Sequence, residues 1–208
     1  MPTHSKCVDL DLPETVRLAD LYEIRFDLDA AEQWCEQAVR FAQTTDGFYI
    51  AEGLVTASVV KYARCFVTGV RLSLKLDDLV SLDAESIAAH NYFFELRTRF
   101  VAHAVNPFEE TYVTATAAVR DGVPQPVTRV AAGQHRLELS ASTASALHAL
   151  IQKVKTIVAE LIATEERQVL AFVQSLPLEA VHAFDLHRPS LMQPHRVGET
   201  RPRGVNKR

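Results

Sequence analysis

Apolar residues recur every three to four positions over most of the chain, a spacing that predicts amphipathic α-helices. A sparse pattern over residues 13–21 predicts only a short helix, opened by a proline. From Asp27 or Asp29, either of which suits a helix N-cap, a regular apolar stripe runs to Phe41 and stops near Gly47. This stripe predicts the first long helix.

Two further long helices are expected before residue 105. The segment 49–67 is apolar on nearly every side, which is typical of a central helix. The link 69–83 is compatible with either an extended segment or a short helix, and a third helix should run from Asp83 to His103 or Ala104. The expected core residues of the second helix are Leu54, Val55, Val59, Tyr62 and Phe66.

The rhythm changes to period two after Pro107. Residues 112–119 alternate and are rich in β-branched types, which predicts a strand. The sequence Arg120-Asp121-Gly122 suits a turn, and 127–130 with 135–139 can supply partner strands. We therefore expect a hairpin or small meander over about 111–139.

A last long helix should begin at Ser140 or Ser142 and reach Ser175, before Pro177. The predicted fold is mainly α: one domain over 1–176, a bundle of four or five helices with the hairpin inserted between the third and the last long helix. The segment 177–208 is rich in proline and arginine, so we expect a tail that is disordered or loosely docked.

Composition narrows the class of protein. Apolar residues make up 48% and charged residues 23% of the 208, as in a globular protein. The net charge of −4 argues against non-specific duplex binding, which requires many phosphates to be neutralised.

Cys7, Cys35 and Cys65 lack metal-type spacing and predict free thiols in a reducing compartment. With no signal peptide and no apolar run of about 20 residues, a cytoplasmic location without membrane contact is expected, and neither metal nor cofactor is indicated.

Candidate chemistry concentrates at the predicted end of the third helix. Arg97, Arg99 and His103 follow one another just before Asn106 and a helix-stopping proline. A guanidinium can fork onto phosphate oxygens, and an imidazole titrates near neutral pH. His90 stands seven residues before Arg97, so it either shares the face of Arg97 or is a structural histidine whose hydrogen bonds are satisfied in the core. The alternative is structural: Arg99 would pair with a glutamate four residues back, and His103 would favour the helix dipole.

The run Leu96-Arg97-Thr98-Arg99-Phe100-Val101-Ala102-His103 resembles the motif of the HEPN superfamily (higher eukaryote and prokaryote nucleotide-binding domains). In that motif an arginine is followed by a histidine near the end of a helix, and here five residues separate the two. The order of long helices is similar as well. The resemblance implies a homodimer in which two motifs meet in one cleft. It also implies a metal-independent endoribonuclease of the kind found in toxin–antitoxin, abortive-infection or RNA-processing systems.

Carried over to this chain, the resemblance implies that Arg97 holds the scissile phosphate and that His103 transfers a proton. Thr98, Arg99, His90 and Asn106 would contribute RNA or phosphate contacts. The residue after the motif arginine is commonly Asn, Asp or His in active members and is Thr98 here, which leaves enzymatic activity open. The alternative function is a non-catalytic dimeric interaction module, antitoxin-like or regulatory, that binds a protein or nucleotide. A cognate antitoxin or another partner protein is a further expected partner.

Overall fold

The structure, a computed structural model, describes residues 6–67, 69, 71–101, 109–136 and 138–187. Within these residues the fold is mainly helical with one two-stranded antiparallel sheet, which confirms the predicted mainly-α class with a small hairpin. No helix among the described residues is both long and apolar enough to cross a bilayer. The elements are α1 (Val16–Phe41), α2 (Phe48–Arg64), α3 (Ala84–Leu96), β1 (Glu109–Arg120), β2 (Val123–Arg136), α4 (Ala141–Ser175) and α5 (Leu178–His182), with 3₁₀ turns at Pro13–Thr15 and Leu76–Leu79.

The chain forms two compact units, which together take in the region predicted as one domain and the start of the predicted tail. The first unit comprises the described residues of 1–30, 64–82 and 151–208, and the second those of 31–63 and 83–150. Helices α1 and α4 each contribute residues to both units.

Helix α1 is longer than predicted. The expected short helix over 13–21 and the expected helix start at Asp27 or Asp29 were wrong, because a single helix continues from Val16 to Phe41. Asp27 is not an N-cap. Its buried carboxylate lies 2.8 Å from Arg71 and 3.5 Å from Arg64.

In the first unit, polar contacts fix the segment after α2 onto α1. Besides the pairs of Asp27, the buried Asp20 accepts a hydrogen bond from the backbone N–H of Leu72 at 2.8 Å. The segment predicted as extended or a short helix therefore has defined partners, and it includes the 3₁₀ turn Leu76–Leu79. The apolar core residues of this unit are Leu21, Ile24, Leu28, Cys65, Leu74, Leu79, Ile151, Val154, Ile157, Val158, Ile162 and Val169.

The C-terminal part of the first unit includes the start of the predicted tail. After α4 ends before Pro177, residues 178–182 form the one-turn α5, and Leu186 makes an antiparallel bridge with Val8. His187 Nδ1 lies 2.5 Å from an Asp9 carboxylate oxygen. Residues 188–208 of the tail lie outside the described residues.

The second unit includes most of α2 and all of α3. Val55, Val59 and Tyr62 are fully buried as predicted, whereas Leu54 is half-buried. Phe66, also expected in the core, lies in the first unit and is half-buried. Asp83 caps α3 as predicted, accepting a hydrogen bond from the Ser86 backbone N–H at 2.8 Å.

The β-region is a single hairpin, so the meander alternative and the break between 127–130 and 135–139 were wrong. Asp121 and Gly122 have φ of 51° and 78°, and two successive residues of positive φ make the tight turn typical of hairpins. The register pairs Tyr112 with Gly133 and Ala115 with Val130. Register shifts after Thr116 and after Ala117 mark bulges.

Candidate phosphate site at the end of helix α3

Helix α3 ends in a widened turn at the predicted motif. The α-helical hydrogen bonding stops at Leu96, and Arg97–Val101 continues as a π-helix. The backbone N–H of Arg97 is shared between the carbonyl oxygens of Phe93 and Phe94. Single π-turns inside or after α-helices are frequent at functional sites. The predicted third helix therefore continues to Val101 with a change from α to π geometry, and its predicted end at His103 or Ala104 lies outside the described residues.

Thr98 provides a local reason for the widened turn. Its hydroxyl donates to the Phe94 carbonyl oxygen at 3.0 Å. In an α-helix that carbonyl would accept the backbone N–H of Thr98, so the side chain competes with the backbone for one acceptor. The Thr98 oxygen retains lone pairs, but its proton is already donated within the helix.

The two arginines of the motif have different environments. Arg99 is exposed, and its Nε lies 3.5 Å from Glu95, an exposed i,i+4 pair as the structural alternative predicted. Such a pair stabilises a helix by only about 0.3–0.5 kcal/mol. Arg97 is half-buried, and no carboxylate whose side chain the structure describes, a set that leaves out Glu109 and Glu110, lies within ion-pair distance of its guanidinium. Of the two, Arg97 has the charge that its described neighbours leave uncompensated.

His90 lies in the protein interior and does not line a surface beside Arg97. It is 5% exposed, and its Nδ1 is 2.9 Å from the hydroxyl of Tyr62, which is fully buried. Its ring stacks on Phe94 with centroids 6.1 Å apart. Burial lowers the pKa of His90, so the ring is held neutral. The seven-residue spacing to Arg97 predicted a shared face but could not reveal the depth of burial.

The aromatic run before the motif divides between core and surface. Phe93 is buried, Phe94 is half-buried against His90, and Tyr92 is 50% exposed. Tyr92 is thus the ring of this run that remains accessible for stacking. His103 and Asn106, predicted as catalytic and RNA-binding, lie outside the described residues.

No cluster of three or more His, Cys, Asp or Glu side chains that could hold a metal ion occurs in the described part of the chain. Burial raises the pKa of Cys35 to about 11, so this thiol is protonated and unreactive at neutral pH. Cys65 is buried as well, and Cys7 is exposed.

The chain has no match among protein-family models, curated proteins or solved structures.

Proposed function

We propose that this chain is a HEPN-like RNA-binding protein that uses Arg97 to bind an RNA phosphate and His103 to cleave beside it without metal. The observation that carries the proposal is the half-buried Arg97 on the π-turn, uncompensated by any described carboxylate. A guanidinium in a partly desolvated setting binds phosphate more strongly than one on an open surface, because water screens the charge less.

The surroundings of Arg97 favour single-stranded RNA over duplex. The chain carries a net charge of −4, so a broad electropositive surface for duplex backbones is not expected. Tyr92, an accessible aromatic side chain, lies on α3 about 140° around the helix axis from Arg97 and about 7.5 Å along it, so an RNA strand that crosses the helix would meet both. Single-strand sites combine a cationic contact with a ring on which a base can stack. His90 is excluded from this contact surface by its burial.

In the proposed reaction, the imidazole of His103 accepts the proton of the ribose 2′-hydroxyl as that oxygen attacks the neighbouring phosphorus. The new bond joins the 2′-oxygen to phosphorus, and the bond to the 5′-oxygen of the next nucleotide breaks. The leaving oxygen takes a proton from water and the imidazolium of His103 gives its proton up to water, which leaves a 2′,3′-cyclic phosphate, a 5′-hydroxyl end and a neutral imidazole. Arg97 would neutralise the charge that develops on the phosphate oxygens.

The test is cleavage of labelled single-stranded RNA in the presence of a chelator, with analysis of the product ends. We expect cyclic-phosphate ends, no cleavage of an RNA with one 2′-deoxy linkage at the cut site, and loss of activity in His103→Ala. Cleavage that needs added Mg²⁺, or that persists in His103→Ala, would contradict the proposed chemistry.

A second candidate function is a non-catalytic interaction module. The exposed valines of the hairpin favour it: Val113 is 72% exposed and Val130 is 67% exposed. Under this alternative RNA would not be cleaved under any condition, and a protein or nucleotide would bind instead. The two functions are distinguished by the cleavage assay together with direct RNA binding.

A further inference from the structure

Strand β1 has an unusually long edge without charge or proline. From Thr111 to Val119 the sequence is Thr-Tyr-Val-Thr-Ala-Thr-Ala-Ala-Val, and all nine residues are exposed. Within the described part of the chain the sheet has two strands, so β1 is an edge strand there along its whole length. Edge strands present unpaired backbone N–H and C=O groups, and folded proteins normally protect them with charges, prolines or bulges.

The other edge, formed by β2, has those protections. Pro124 and Pro126 lack backbone N–H groups, and Arg129 adds a charge. Both register shifts place the additional residue in β2. A partner strand would therefore find a continuous row of backbone groups only on β1.

The hairpin also has one apolar face. Residues that pair directly across an antiparallel ladder lie on the same face. The register therefore groups Val113 with Ala132 and Ala115 with Val130. A two-stranded hairpin alone is marginally stable in water, and three or more strands with an apolar face are needed for a stable sheet.

We propose that β1 pairs antiparallel with β1 of a second copy of this chain, forming a four-stranded sheet centred on Ala115. The centre follows from the segment itself, because Ala115 is the midpoint of 111–119 and only that axis pairs all nine residues. With the two-fold axis at Ala115, each odd-numbered residue of one β1 faces an odd-numbered residue of the other. The apolar faces of the two hairpins therefore lie on the same side of the four-stranded sheet.

The side chains fit this register. Tyr112 would face Ala118 of the second copy, and Val113 would face Ala117, so the larger side chains meet alanines. Thr114 would face Thr116, a favourable cross-strand pair. A closed two-fold contact of this kind uses each β1 edge once and does not propagate into a fibre.

The edge contact is small, which determines how the dimer behaves. Nine residues span about 30 Å of strand. A single strand edge of this length buries less than the roughly 800 Å² per partner of a standard interface. We therefore expect a dimer that dissociates on dilution.

The direct test is disulfide cross-linking in full-length protein with Cys7 replaced by serine, which removes the exposed thiol while Cys35 and Cys65 remain buried. In Ala115→Cys the two new thiols face each other across the axis, at a separation a disulfide can bridge. In Ala117→Cys, the matched control on the same face, the two thiols are separated by about 13 Å along the strands. We expect covalent dimer from Ala115→Cys and at least tenfold less from Ala117→Cys.

Equal cross-linking at both positions, or stronger cross-linking at 117, would overturn the register, and the absence of any covalent dimer would overturn the pairing.

Sedimentation over a concentration series gives a second measurement. Ala115→Lys should abolish the dimer because two lysines would face each other, whereas Val127→Lys, on the same face of β2, should retain it. Loss of the dimer in Val127→Lys alone would show face-to-face packing and contradict edge pairing. Because these measurements use only the hairpin, their failure leaves the Arg97 proposal untouched.

Discussion

The hydroxyl of Tyr62 and Nδ1 of His90 lie 2.9 Å apart inside the second unit, joining α2 to α3 through a buried polar contact. Since burial lowers the pKa of His90, the ring is neutral in the folded protein. The unfolded chain protonates this histidine at about pH 6.5. Helix α3, which ends at Leu96 just before Arg97, is thus anchored by a buried contact to a neutral imidazole.

The first prediction is that acid lowers the free energy of unfolding through His90. As pH falls below about 6.5, the unfolded state takes up a proton that the folded state resists, so the free energy of unfolding decreases. Above that pH the contribution of His90 is constant. Urea denaturation at pH 7.5 and 5.5 should show the loss, and the double variant Tyr62→Phe/His90→Phe should show a smaller one. An equal pH dependence in the double variant would exclude His90 as the source.

The second prediction concerns the buried carboxylate on α1. Asp27→Asn removes the charge that Arg71 and Arg64 share, and breaking a buried pair typically costs about 3–5 kcal/mol. Asp29, two residues on, pairs with Lys155 and Arg25 but is 35% exposed. Asp29→Asn should therefore cost about 1 kcal/mol or less. Chemical denaturation of both variants measures the difference, and similar losses would contradict this account.

The third prediction compares two glycines, Gly47 immediately before α2 and Gly53 inside it. A Cβ added at Gly47 would overlap the carbonyl oxygen of Phe41 and the hydroxyl of Thr44. Because a backbone atom cannot move away cheaply, Gly47→Ala should cost about 1–3 kcal/mol. Gly53 lies within α2 with nothing near its added Cβ, so Gly53→Ala should stabilise by about 0.5–1 kcal/mol. Thermal unfolding should shift in opposite directions for the two variants, and shifts of the same sign would refute this explanation.

Features fixed by local chemistry could be predicted from the sequence. The Asp121-Gly122 turn was predicted because two positive φ angles favour those residues, and the end of α4 before Pro177 because proline cannot continue a helix. Asp27 was misjudged because an acid before an apolar stripe suits an N-cap equally well. Its actual partner, Arg71, is distant in sequence, so no local pattern reveals it.

The candidate site could be predicted only in part for the same reason. Sequence placed Arg97 near the end of the third helix, and the Glu95–Arg99 pair followed from four-residue spacing. The π-turn was missed because it accompanies the hydroxyl of Thr98 bonding back to Phe94. The burial of His90 agrees with the structural alternative, which spacing alone could not select, because periodicity predicts a face while depth depends on what packs against it.

The central claim is that Arg97 binds an RNA phosphate, and fluorescence anisotropy of labelled single-stranded RNA over a series of salt concentrations tests it most directly. Arg97→Gln should weaken binding about tenfold or more and reduce the slope of log K against log salt by about 0.7, the share of one phosphate contact. Arg167→Gln removes the same charge from an exposed guanidinium that bonds its own helix. That control should leave affinity and slope unchanged. Wild-type affinity and slope in Arg97→Gln, or equal losses in both variants, would contradict the account.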